Sequence, residues 1–289
     1  MKKLLAMAVT AAFTVSMLAG CGQSAETTDA SARETETEAA GEETADTADA
    51  ASEDTAERTT FTVGFDAEFP PYGYMDESGE YTGFDLELAQ EVCDRNGWEL
   101  VKQPIDWDSK DMELSSGAID CIWNGFTMNG REDAYTFSVP YVDNSQVFVV
   151  AADSGITVFD DLAGKNVGVQ KDSSALAALE GDAADLAATF GNLTQYSDYN
   201  TAFMDLEQGA IDALAIDVGV ADYQIASRGE GFVKLSENLA SEQYGIGFKL
   251  GNVELKDQVE KTLLEMADDG TFGKIAEKYG LSDSVCLGK

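Results

Sequence analysis

The sequence contains no histidine. That removes Ser-His and Cys-His nucleophile pairs, histidine-ligated zinc and imidazole proton shuttling together. Chemistry must come from carboxylates, bases, hydroxyls and thiols. Carboxylates dominate: 54 Asp and Glu stand against 18 Lys and Arg, a formal net charge of -36 over 289 residues. So acidic a surface repels phosphate backbones, and no nucleic-acid partner is expected. Asp217 closes the apolar run Ala213–Ile216. An acid there is costly unless partnered, so it either meets a cation or caps a following helix. Asp76, Ser78 and Glu80 imitate the start of a calcium loop. The sixth position, where such a loop needs glycine, is Tyr81, so a turn between two short strands is expected instead. G-x-G-x-x-G, G-x-x-x-x-G-K-S/T and G-x-S-x-G are absent, which leaves nucleotide and serine-hydrolase readings without an anchor. No metal site and no cofactor are expected.

The elements that must position these groups follow from hydrophobic periodicity. Phe61–Phe65 alternates apolar and polar residues, as a half-buried strand does. Gly83-Phe84-Asp85 opens a helix that Asp85 can cap, with Leu88, Ala89, Val92 and Cys93 on one face and Gly97 as its stop. Cys93 is then a core residue. Residues 118–123, 146–152, 166–169 and 213–216 read as further strands, with helical stretches over 173–180 and 200–208 between them. Leu255, Val259, Leu263 and Met266, then Phe272, Ile275, Ala276 and Tyr279, mark two late amphipathic helices. This alternation predicts α/β layers. Ser116–Cys121 is echoed by Gln208–Ala213, each leaving a helix and entering a strand, as two lobes of one design would require.

The N-terminus carries an address. Lys2-Lys3 precedes an apolar run from Leu4 to Leu18, which ends in Leu18-Ala19-Gly20-Cys21. This is a secretory signal, too short to prefer a permanent span. The tetrad resembles the bacterial lipobox, which implies cleavage before Cys21 and acylation of that thiol. Residues 1–20 are then a lipoprotein signal peptide. After lipidated Cys21, the stretch to residue 60 has no large apolar side chain and twelve acids against Arg33 and Arg58. It cannot offset its ordering entropy by burial, and a disordered acidic linker is expected. With Cys21 modified, Cys93, Cys121 and Cys286 allow at most one disulfide, whose pairing stays open.

Several segments, in order, resemble the extracytoplasmic solute-binding proteins of the polar amino acid ABC importers (family 3). They are Val63–Tyr72, Gly83–Ala89, Gly117–Asp120, Thr127–Arg131, Phe137–Tyr141, Gly164–Val169, Gly209–Ala213 and Asp269–Ile275. The resemblance runs from about Thr60 to Gly280. It implies a type II periplasmic-binding-protein fold, two α/β lobes joined by two hinge strands. Lobe 1 would be 61–143 plus 244–289 and lobe 2 would be 144–243, with hinges near Val142–Ser145 and Ser241–Gly245.

The resemblance also implies a ligand site. An α-amino acid needs a fixed cation, a fixed anion and a shaped pocket. Arg131 matches the family arginine that grips the carboxylate through its guanidinium fork, although one residue fewer separates Thr127 from Phe137-Ser138 than is common. Asp217 matches the acid that takes the ammonium. Thr127 and the backbone at Asn124 and Gly125 would add hydrogen bonds. Ser173 and Ser174 would offer N–H groups at a helix start, or simply cap it. Phe69 and Trp107 resemble the aromatic pair that sandwiches the side chain, Gln170 lines the pocket, and Trp123 is packing. Asp66 and Glu68 would face the far end of the ligand and suit a cationic side chain.

The implied function is capture of a polar L-amino acid by a monomer held on the outer face of the membrane by lipid. The captured ligand is delivered to ABC permease subunits. Ligand touching both lobes favours the closed state, and no covalent chemistry is needed. An enzyme of the same fold, dehydratase-like, and an amino-acid sensor module are the alternatives.

Overall fold

The computed structural model describes residues 58–288. The expected signal peptide, Cys21 and all but the last residues of the acidic linker lie outside the described residues. Strand Thr60–Phe65 forms where alternation predicts it and buries Phe61, Val63 and Phe65. It pairs in parallel with Glu99–Pro104 on one side and Cys121–Ile122 on the other. Gly247–Lys249 and then Tyr135–Phe137 extend this first sheet with antiparallel pairing. The strand expected over 118–123 shrinks to Cys121–Ile122. The N–H groups of Ala118 and Ile119 are spent on the Glu113 carbonyl, closing the helix Lys110–Ser116.

Helix Phe84–Asn96 ends at Gly97, whose φ of 72° is the left-handed stop the sequence suggests. Its start corrects one expectation. Gly83 is the N-cap, and Asp85 turns its carboxylate into the protein interior. Gly83 has φ of 138°, and a Cβ there would lie 2.2 Å from the Tyr72 carbonyl oxygen, so glycine is required. Helices Val253–Asp268 and Thr271–Lys278 pack beside it. They bury Leu255, Val259, Leu263 and Met266, then Phe272 and Ala276.

The second sheet runs in the order Asn192–Tyr196, Asn166–Gln170, Ala213–Asp217, Val142–Ala151, Phe232–Lys234. The ten-residue strand Val142–Ala151 belongs to this sheet along most of its length, and its first half also pairs with Ala240–Tyr244. Here the chain passes between the sheets: Phe137 lies in the first and Val142 starts in the second, while Tyr244 leaves the second and Gly247 enters the first. Helices Ser174–Glu180, Tyr199–Glu207 and Val218–Arg228 cover the second sheet.

Asp76 is the hub of a turn. Its carboxylate accepts from the Ser78 amide and hydroxyl and from the Glu80 amide. Cys93 and Cys121 are fully buried, and burial pushes the Cys93 thiol up to about 12, as befits a core residue.

Candidate ligand-binding cleft

Strand ends and helix starts of both lobes meet in one cleft. Phe69, Trp107, Gly125, Thr127 and Arg131 line it from the first lobe, and Gln170, Ser173, Ser174 and Asp217 from the second. The cleft encloses only about 10 Å3, about one water's worth of space. The lobes touch across it. Gln170 Nε2 donates to Asp66 Oδ2 at 2.7 Å, Thr127 Oγ1 lies 3.2 Å from Ser174 Oγ, and Asn200 donates to Glu68. The Phe69 and Tyr199 rings stand 5.9 Å apart, and Tyr74 and Tyr223 5.7 Å apart. No amino acid enters a space this small unless the lobes part.

The first-lobe wall is built on loops after the central strands. Arg131 donates Nη1 to the Thr127 carbonyl at 3.0 Å and lies over the Phe126 ring at 5.1 Å. Among the described residues no carboxylate pairs with it. A guanidinium so placed keeps its remaining N–H groups for an anion. Asn124 does not line the cleft. It is buried, and its Oδ1 accepts the Asp66 amide at 3.1 Å. The Gly125 amide is also committed, donating to Asp85 Oδ2 at 2.6 Å. Asp85 therefore positions this loop from behind, with Tyr141 donating to the same oxygen at 2.9 Å. Burial pushes Asp85 up to about 7 despite those two donors. Trp123 is packing, as expected, edge-on to Tyr141.

In the second lobe Ser173 caps helix Ser174–Glu180. Its Oγ accepts the Leu176 amide at 3.1 Å and donates to the Gln170 carbonyl at 2.8 Å. Asp217 occupies the N-cap position of helix Val218–Arg228 but makes no side-chain cap. Its carboxylate turns instead to Asn144, Gln146 and Tyr244, at 2.9, 2.7 and 2.6 Å. Burial first, and then the neighbouring Glu242 carboxylate, push Asp217 up to about 7.

Asp66 and Glu68 border a second, outer recess of about 410 Å3, which shares Trp107 with the cleft. Asp106, Glu113 and Asp198 line the same recess, so its wall carries five acids and no base. Burial pushes Asp66 up to about 6, against the Glu68 amide and Gln170, which pull it down.

Sequence reasoning missed Glu242, Asn144 and Gln146. Glu242 and Asn144 are direct cross-strand partners, and Gln146 shares Asn144's face. The signal was present: two amides spaced by two, just before the apolar Val147–Val150.

A family model described as bacterial extracellular solute-binding proteins, family 3, matches residues 61–282. The L-cystine-binding protein TcyJ of Escherichia coli (strain K12) is 30% identical over 226 residues, covering 77% of this chain and 83% of its own. The ABC transporter arginine-binding protein 1 of the same organism is 26% identical over 230 residues, 78% and 91% of the two chains. Among solved structures, an ABC uptake transporter substrate-binding protein from Streptococcus pneumoniae with bound histidine aligns with a TM-score of 0.75 and 34% identity, over 78% and 94% of the two chains. An ancestral arginine-binding protein bound to glutamine aligns at 0.71 with 35% identity, over 78% and 99%. Fold, sequence match and a cleft between two hinged lobes agree: the chain belongs to the bacterial extracellular solute-binding proteins, family 3.

Proposed function

We propose that this protein captures one polar L-amino acid between its lobes outside the cytoplasm and hands it to the permease subunits of an ABC importer. The observation that carries this reading is the meeting of Arg131 and Asp217 in one cleft, one from each lobe. A zwitterion bound by both would bridge the lobes and favour the closed state by its differential contacts with the two arrangements. Relatives named for cystine, arginine and histidine support an amino acid as ligand. The acidic recess beside the cleft favours a ligand whose far end is cationic.

In this reading Arg131 takes the carboxylate, Asp217 the ammonium, and Phe69 and Trp107 the side chain. Thr127, Ser173, Ser174 and Gln170 complete the wall, and Asp66 and Glu68 attract the ligand's far end. Lobe 1 is assigned as 61–143 plus 244–289 and lobe 2 as 144–243, a division that strand membership in the two sheets supports except at the crossing residues Val142, Asp143 and Tyr244, which pair within the second sheet. Lipid on Cys21 would tether the protein to the membrane's outer face, with residues 22–60 as the leash. The protein acts by binding and catalyses no reaction.

Thermal unfolding against the twenty common L-amino acids plus ornithine and cystine tests this. Ligand at a hundred times Kd stabilises by about 2.7 kcal/mol. A shift for one or a few of them is expected. No shift with any, in folded protein freed of carried-over ligand, would contradict it.

A further inference from the structure

Behind Asp217 lies a second buried carboxylate held against it by shared donors. Asn144 Nδ2 stands 2.9 Å from Asp217 Oδ1 and 2.7 Å from Glu242 Oε1. Gln146 Nε2 stands 2.7 and 2.8 Å from the same two oxygens. Both bridging amides are neutral. Thr127 of the first lobe and Ser174 of the second donate to that same Glu242 oxygen, at 2.8 and 3.2 Å. Glu242 therefore sits on a hinge strand and Asp217 at the end of strand Ala213–Asp217, and the cluster touches both jaws.

The groups around the pair do little to neutralise it. Tyr244 comes from Glu242's own strand, Tyr199 from helix Tyr199–Glu207, and Tyr72 from the first-lobe loop. Asp85 and Asp222 add further negative charge near Tyr72. Arg131 lines the same cleft but is engaged with Thr127 and Phe126, and Lys110 pairs with Asp172. Among the described residues no Lys or Arg pairs with Asp217 or Glu242.

We propose that, in the closed cleft without ligand, Asp217 holds a proton that the facing Glu242 carboxylate helps keep there, and that seating the ligand's ammonium on Asp217 expels it. Glu242 thereby makes amino-acid capture proton-linked. The inference rests on the amino-acid reading above. The ligand arrives and stays as an ammonium, the carboxylic O–H bond breaks heterolytically, and the proton passes to water. A buried carboxylate that faces a second carboxylate and has no cation beside it resists ionising. The upward push on Asp217 to about 7 points the same way. An ammonium against Asp217 supplies the missing positive charge and reverses that push.

Calorimetric titration of the full chain with L-arginine and with L-glutamine, in phosphate and in imidazole, counts the protons exchanged, because the two buffers differ in protonation heat. About half a proton released per ligand is expected at pH 7 and about nine-tenths at pH 6. Affinity should fall about tenfold from pH 8 to pH 6. In Glu242→Gln, with folding checked by circular dichroism, the release should drop by about half or more. Binding with buffer-independent heats at pH 6 would overturn the proton linkage and leave the amino-acid reading standing. Undiminished release in Glu242→Gln would leave the proton on Asp217 through burial alone, or place it on another group such as Asp66, and either way overturn the role given to Glu242. Should that variant fail to fold, the wild-type buffer series still decides the linkage. No binding by either probe or by any other common amino acid would overturn both the inference and the reading it rests on.

Discussion

In the proposed site Arg131 and Asp217 divide the work of holding a zwitterion, and each is open to a sharp test. Removing one partner of a buried charge contact costs about 2–5 kcal/mol. Arg131→Ala should therefore weaken amino-acid binding at least about thirtyfold by calorimetry, while the unfolding midpoint of ligand-free protein barely moves. Arg131→Lys should recover little, because an ammonium cannot match two carboxylate oxygens in one plane. A lysine variant that binds like wild type would show that Arg131 is only a loop charge stacked on Phe126. Ser174 illustrates what side-chain types alone conceal. Its place after an apolar strand suggests a helix-start donor, but the destination of its hydroxyl, Glu242, depends on strand pairing across nearly seventy residues.

In the proposed two-lobe mechanism, the hinge strands and the first turn of helix Val218–Arg228 would set how far the lobes close. A Cβ on Gly219 would lie 2.4 Å from the Tyr72 hydroxyl, and that ring is itself buried. Gly219→Ala should fold and yet close poorly, weakening ligand binding about tenfold or more at nearly unchanged ligand-free stability. Unaltered affinity in that variant would show that the Tyr72–Gly219 contact does not limit closure. Most of this architecture was legible in the sequence, because alternation at 61–65 and helical spacing at 255–266 are local signals. Two features were not. The strand over 118–123 shortens because its leading amides are captured by the preceding helix, a competition that periodicity does not reveal. Asp85 looks like a cap because it sits where caps sit, but its carboxylate serves Gly125 and Tyr141, forty or more residues away. The cleft wall could be anticipated from Phe69 to Asp217, whereas the polar layer beneath it needed the pairing of Asn144 with Glu242.

At the scale of the whole molecule, three buried aspartates among the described residues hold protons better folded than unfolded. Burial pushes Asp66 up to about 6 and Asp85 and Asp217 to about 7. The native state thus binds more protons than the unfolded chain between about pH 4 and pH 7. The stability this contributes is fully present below about pH 4 and is lost as pH rises through 6 and 7. Ligand-free protein should unfold at its highest temperature near pH 4 and at progressively lower temperatures up to pH 8. Self-repulsion among its many acids works in the same direction. A midpoint that rises with pH would contradict the assignment. The proposed lipid anchor predicts that Cys21→Ser moves the protein from the membrane fraction to the medium or periplasm, read by fractionation and blotting. A variant that stays with the membrane would remove that role from Cys21.

The central claim is that one amino acid is gripped by its two charged ends, one by each lobe. Calorimetric titration of the full chain tests it with the best-binding amino acid, its carboxyl amide and its des-amino acid. The account predicts that each analogue loses about 2 kcal/mol or more. It also predicts that the amide loses nothing further in Arg131→Ala, because the contact is already gone. An analogue that binds as tightly as the parent would contradict the two-ended grip and with it the account of this cleft.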